Sequence, residues 1–262
     1  MQKLVIKVGT STLTKGTNRI SRGKIEDLAR QILVLQERFE CVVVSSGAIA
    51  AAKQSLELSG SNPIAVKQAL AAIGQPNLIR IYQEVFSDFG LKTAQCLLTY
   101  QDFRNETSRT NTKNTLNILL QNHFIPIVNE NDTVATEEIM FGDNDKLGAL
   151  TAGLLEADLL VLVSDIDGLY TKDPNHYPDA AFIDVVEDLE KVRHFGGKSK
   201  SQQGTGGMYS KLVAAEICLK HGVEMWIVNG TADAFVVKAL EGKIPFTRFK
   251  ALNSESIKIN HV

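Results

Sequence analysis

Short runs rich in valine, isoleucine and leucine constrain this chain more than any other feature. They fall at residues 4–8, 41–44, 94–98, 125–128, 159–163 and 224–228. A strand with one face in water alternates apolar and polar residues. These runs hardly alternate, which is the pattern of strands covered on both faces. The intervening segments carry helical spacing instead, as with Ile25, Leu28, Ala29, Ile32 and Leu35. A helix is predicted from Pro63, behind the start signal Ser61-Asn62, to about Phe86. Gly74 and Pro76 are expected to kink or split it. Residues 112–120, 146–155 and 208–220 also read as helices. Strands alternating with helices imply an α/β protein with a mostly parallel central sheet and helices on both faces.

Composition narrows the functional classes. The chain has 262 residues, with 28 Lys plus Arg against 30 Asp plus Glu and a net charge of −2. That balance gives no support to nucleic-acid binding driven by bulk charge. No apolar run reaches the roughly 18 residues of a membrane span, and the first residues, MQKLVIKVG, read as a strand rather than a signal peptide. Cys41, Cys96 and Cys218 are far apart and form no CxxC, so buried reduced thiols are expected at all three. No repeat, linker or Pro-rich hinge divides the chain. Together these features predict a cytoplasmic protein with one domain over residues 1–262, no membrane association and no nucleic-acid partner.

In doubly covered sheets, ligands bind beyond the carboxyl ends of the strands. The residues there are small, glycine-rich and polar: Lys7-Val-Gly9-Thr-Ser, Ser45-Ser46-Gly47-Ala48, Asn129-Glu-Asn131-Asp132-Thr133, Gly142-Asp143-Asn144-Asp145, Ser164-Asp165 and Gly204-Thr-Gly-Gly-Met-Tyr-Ser-Lys211. Glycine lets backbone N–H groups approach phosphate oxygens, and a helix N-terminus adds positive potential. Lys7 and Lys211 put single positive charges beside such loops. Asp132, Asp143, Asp145 and Asp165 could hold magnesium, orient lysines or grip an ammonium group. Asn129, Asn131 and Asn144 suit a zwitterionic ligand. The combination suits phosphoryl transfer, in which positioning and charge neutralisation do most of the catalysis. A Walker loop, a dinucleotide glycine fingerprint, a nucleophile elbow, a paired-histidine zinc site and a calcium loop all fail on spacing.

The motifs KVGTS, VVVSSGAIA, NENDTV, GDND, SDIDGLYTKDP and GTGGMYSK occur in an order that resembles the glutamate 5-kinases of the amino-acid kinase family. The likeness extends from Lys3 to about Phe249. It implies the three-layer αβα sandwich of that family and transfer of a phosphoryl group from ATP, with Mg2+, to the γ-carboxylate of L-glutamate, the first step of proline biosynthesis. By motif, it implies that Lys7, Gly9, Ser164, Asp165 and the run Thr205, Gly206, Gly207, Met208, Tyr209, Ser210 and Lys211 bind ATP. Ser46, Asp132, Asn144 and Asn129 are implied for glutamate. Lys7 and Lys211 would be the catalytic lysines and Asp145 the aspartate that holds them.

Singly, each of these residues has a structural explanation: a solvated strand-end lysine, a Ser cap, turn residues, or Asp145 capping the following helix. Jointly and in order, they favour the functional reading. The resemblance further implies a homo-oligomer, dimer or tetramer, and feedback inhibition by proline. Many members continue into a PUA domain, which is expected to be absent here because the sequence stops at Val262. Tyr209 stands where a small residue is more usual. The apolar positions of the 63–86 helix, among them Ile64, Leu70, Ile73, Leu78 and Val85, are expected to pack on the sheet, with an interface between copies as the sharper alternative.

Overall fold

The computed structural model describes residues 1–17, 19–54, 56, 58, 60–135, 144–196 and 207–251. The apolar runs form β1 (Gln2–Val8), β2 (Phe39–Ser45), β3 (Lys92–Leu98), β4 (Phe124–Glu130), β5 (Leu159–Ser164) and β9 (Glu224–Asn229). Shorter strands are β6 (Leu169–Tyr170), β7 (Phe182–Ile183), β8 (Val185–Val186) and β10 (Phe246–Phe249). The eight-stranded sheet has the order β3-β4-β2-β1-β5-β9-β10-β8, and β6 pairs with β7 in a separate ribbon. From β3 to β9 every pairing is parallel, whereas β10 runs antiparallel to β9. Val8 pairs with both Ser45 and Val163, so the carboxyl ends of β2, β1 and β5 finish level.

Helices cover both faces. They are α1 (Thr10–Thr14), α2 (Arg22–Leu35), α3 (Ala48–Lys53), α4 (Pro63–Asp88), α5 (Tyr100–Arg104), α6 (Glu106–Gln121), α7 (Asp145–Leu155), α8 (Met208–Lys220) and α9 (Phe235–Leu240). Leu4, Ile6 and Val8 of β1 join one apolar layer with α2, α4 and α9, while Val5 joins the other with α6, α7 and α8. This two-sided burial is why the strands read as continuous apolar runs. Ser21 starts α2 by accepting from the Lys24 N–H, and the predicted stripe Ile25, Leu28, Ala29, Ile32 and Leu35 is buried.

The helix α4 corrects one expectation. It starts where the sequence said, with Asn62 capping the N–H groups of Ile64 and Ala65 ahead of Pro63, but it runs unbroken through Gly74 and Pro76. Tertiary packing explains this: a Cβ at Gly74 would collide with the Ala48 carbonyl oxygen, so glycine is what lets α4 lie against α3. Leu70, Leu78 and Val85 of α4 are buried in the core, whereas Ile64 and Ile73 are exposed. Cys41 and Cys218 are buried thiols as expected, while Cys96, on edge strand β3, is only partly covered. Among the described residues no helix is long and apolar enough to cross a membrane.

Candidate functional site

Strand alternation places the first functional side chain. Leu4, Ile6 and Val8 face the layer of α2 and α4, so Lys7 points to the opposite side, towards α7. There its Nζ lies 2.6 Å from Asp145 Oδ1. Lys211, in the first turns of α8, sets its Nζ 2.9 Å from Asp145 Oδ2. The Ser210 hydroxyl also donates to Oδ2, at 3.3 Å. Asp145 is fully buried and both lysines nearly so. Two buried ammonium groups thus share one carboxylate, and the trio leaves positive charge in excess at the sheet edge. Asp145 is the first residue of α7, where a negative side chain also suits the helix dipole.

Asn144 occupies the N-cap position of α7 without capping it. Asparagine there normally satisfies an orphan N–H, but here the side chain is used elsewhere. Its Nδ2 donates to the Ser45 carbonyl at 3.0 Å and to Asn129 Oδ1 at 2.8 Å. Asn129 Oδ1 also accepts the Glu130 N–H at 2.9 Å, and Asn129 Nδ2 donates to Gln75 Oε1 at 2.8 Å. The fully buried Tyr82 hydroxyl and Ser45 Oγ are 2.9 Å apart, and Ser45 Oγ donates to the Ser46 carbonyl. Gly47 follows in a left-handed conformation at φ 108°, which turns the chain from β2 into α3. The side chains of α4 therefore brace the turn that presents Ser46.

Asp132 follows β4 and is mostly buried. Burial raises its carboxyl to about 6, because desolvation penalises the charged form. It lines a cleft of about 330 Å3 with Ala71, Gln75, Ile79, Gln95 and Asn131. A second hollow, of about 390 Å3, lies beyond β1, β5 and β9 and is lined by Ser11, Lys15, Lys24, Asp165, Gly230 and Thr231. The strand order puts β2 and β4 on one side of β1 and β5 and β9 on the other. Ser46, Asn129 and Asp132 thus belong to one half of the edge and Ser164 and Asp165 to the other, with Lys7 at the divide.

The fold brings together several of the residues singled out from sequence. Lys7, Asp145, Lys211 and Ser210 meet directly, as do Asn129 and Asn144. Gly9 adjoins the Lys7 ammonium, a Cβ there lying 3.4 Å from Nζ. Ser164 is buried, and its hydroxyl donates to Asp165, which is exposed. Gly207 and Met208 begin α8, and Tyr209 projects outward at 57% exposure. Thr205, Gly206 and Asp143 lie outside the described residues. Sequence reasoning passed over Gln75 and Tyr82.

Residues 2–229 match the amino acid kinase family. The chain is 46% identical over 250 residues to the glutamate 5-kinase of Caldanaerobacter subterraneus subsp. tengcongensis, covering 94% of this chain and 67% of that one. It is 43% identical over 258 residues to the glutamate 5-kinase of Photorhabdus laumondii, covering 97% of this chain and 70% of that one. Among solved structures, the UMP kinase of Ureaplasma parvum superposes with a TM-score of 0.65 at 16% identity, over 95% of this chain and 98% of that one. The carbamate kinase of Giardia lamblia bound to AMP-PNP gives 0.67 at 15%, with the same coverage. At such low identity these two share the fold alone.

Proposed function

Because the chain belongs to the amino acid kinase family, we propose that the Lys7–Asp145–Lys211 cluster transfers the terminal phosphoryl group of ATP to the γ-carboxylate of L-glutamate, giving L-glutamyl 5-phosphate for proline biosynthesis. The carboxylate that bridges two buried lysines is the observation that carries the mechanism. Relatives named glutamate 5-kinase, at 46% and 43% identity, carry the choice of substrate.

The chemistry follows from charge. A glutamate γ-carboxylate in water titrates at about pH 4.3 and is ionised at neutral pH, so no general base is required. The barrier lies in bringing an anion onto a polyanion. Lys7 and Lys211 spread positive charge over the transferring group and the leaving oxygens, and Asp145 holds both ammonium groups in place. Ser46, Asn129, Asp132 and Asn144 take the amino acid on the β2–β4 half. Ser164, Asp165 and the Gly207–Lys211 segment take the nucleotide on the β5–β9 half, together with Gly9 and, outside the described residues, Thr205 and Gly206. A magnesium ion carried by ATP phosphates needs only one or two protein carboxylates. Asp165, exposed at the end of β5, would be the carboxylate that meets it, and the ion would supply further charge neutralisation.

The same reading extends to regulation and assembly. Proline, a zwitterion with the same α-carboxylate, would compete at the amino-acid end of the cleft. Ile64 and Ile73 on α4 are exposed apolar side chains that support a homo-oligomer. Incubation with Mg-ATP, hydroxylamine and a panel of acids tests the reaction, since hydroxylamine captures acyl phosphates as hydroxamates. A signal with L-glutamate is expected, suppressed by proline. A signal only with N-acetylglutamate, aspartate or carbamate would overturn the assignment, and a single-chain mass by light scattering would overturn the oligomer.

A further inference from the structure

We propose that Gln75 is a substrate-binding residue whose side-chain amide donates to the α-carboxylate of the amino-acid substrate. The proposal rests on the amino-acid-binding reading of the cleft beside Asp132.

The argument is one of forced polarity. An amide side chain can be turned either way unless its neighbours decide. Here backbone groups decide at both inner links. The Ser45 carbonyl can only accept, so Asn144 must turn Nδ2 towards it, at 3.0 Å. The Glu130 N–H can only donate, so Asn129 must turn Oδ1 towards it, at 2.9 Å. Asn129 Oδ1 then also receives the second Asn144 hydrogen, and Asn129 Nδ2 is left facing Gln75. Gln75 must answer with Oε1, at 2.8 Å. Its NH2 is thereby directed away from the relay.

The direction is set by the helix. Ala71, Ala72, Gln75, Pro76 and Ile79 make one stripe of α4, and that stripe is the wall of the cleft that faces Asn131 and Asp132. At the other end of the relay, both hydrogens of the Asn144 amide are consumed. Its buried Oδ1 has no hydrogen-bond partner among the described residues and remains an acceptor. The cleft therefore presents an acceptor, at Asp132, and a donor, at Gln75, while the buried Asn144 Oδ1 is a further acceptor at the far end of the relay. An α-amino acid needs both: acceptors for its ammonium and a donor for its carboxylate.

Gln75→Glu is the discriminating variant. The glutamate side chain still accepts from Asn129, so the relay survives, but it cannot donate and adds a negative charge. The KM for glutamate should rise roughly 10- to 100-fold, as expected for a hydrogen bond to a charged group, with the loss falling on that KM and not on the ATP KM or on kcat at saturating glutamate. Gln75→Met, which removes both functions, should show at least the same loss. 4-Aminobutyrate keeps the ammonium and the reactive carboxylate but lacks the α-carboxylate. Its inhibition constant should be unchanged in Gln75→Glu, so discrimination between the two ligands shrinks. An unchanged glutamate KM, or an equal loss towards glutamate, 4-aminobutyrate and ATP, overturns the proposal. Wild-type turnover of glutamate tests the underlying reading separately, before any variant is made.

Discussion

Lys7 and Asp145 lie 2.6 Å apart although one belongs to the first strand and the other to a helix that begins past the middle of the chain. β1 delivers the lysine and α7 the aspartate. Lys211 shares the same carboxylate, so two ammonium groups and one carboxylate are assembled, buried and oriented by the protein itself, ahead of any ligand.

Asp145→Asn is expected to damage both catalysis and stability. The carboxylate balances two buried ammonium groups, and breaking a buried ion pair costs about 3–5 kcal/mol. Denaturant unfolding should show that loss. The double variant Asp145→Asn with Lys211→Met should regain part of the stability, because one uncompensated charge is gone, while activity stays low.

Lys7→Ala and Lys211→Ala should each lower kcat by on the order of 10²–10³-fold, the effect of deleting one preorganised donor at the reacting centre. Circular dichroism of the purified variants establishes folding. Near-normal turnover in a folded variant would remove that lysine from the mechanism.

With Asp132 in the proposed glutamate site, glutamate affinity should depend on pH. Its carboxyl is raised to about 6 by burial, so the form that grips an ammonium is lost as pH falls through that value, and the glutamate KM should climb about tenfold per unit below it. Stability moves the other way. Between an unfolded value of about 3.9 and the folded value, the native state binds more protons than the unfolded chain, so stability falls as pH rises across that window. Asp132→Asn should therefore unfold at higher temperature than wild type at pH 7 while binding glutamate far more weakly. A variant no more stable than wild type would refute the burial cost.

Gly74→Ala should destabilise the protein by roughly 1–3 kcal/mol through overpacking, despite alanine's better helix propensity. The added Cβ would meet the Ala48 carbonyl oxygen, pushing α4 off α3. Because α4 also braces Ser45 through Tyr82 and Asn129 through Gln75, the glutamate KM should rise as the melting temperature falls.

The sequence made the layers legible because the covering of a strand is written in its own residues. The runs around Leu4, Val43 and Leu160 are apolar throughout, and both of their faces are buried. The stripe of α2 was equally plain. The short strand β10 was missed, since Phe246–Phe249 has too few residues for a pattern and gains its place by pairing with β9. Of the kink or split expected at Gly74 and Pro76, the split did not occur: local propensity did not end a helix that packs against α3.

Within the site, residue type and order were enough to nominate Lys7, Asp145, Lys211, Asn129 and Asn144. What those side chains do to one another was decided only by tertiary structure. An asparagine before a helix reads as a cap, yet Asn144 gives its amide to Ser45 and Asn129. An aspartate at the first helical position reads the same way, yet Asp145 bridges two lysines. Gln75 carries no signal of its own until α4 lies along the cleft. Periodicity is local and survives in a string of letters; the pairing of buried polar groups depends on which strangers in sequence the fold presses together, and a desolvated donor or acceptor takes whatever partner it meets there.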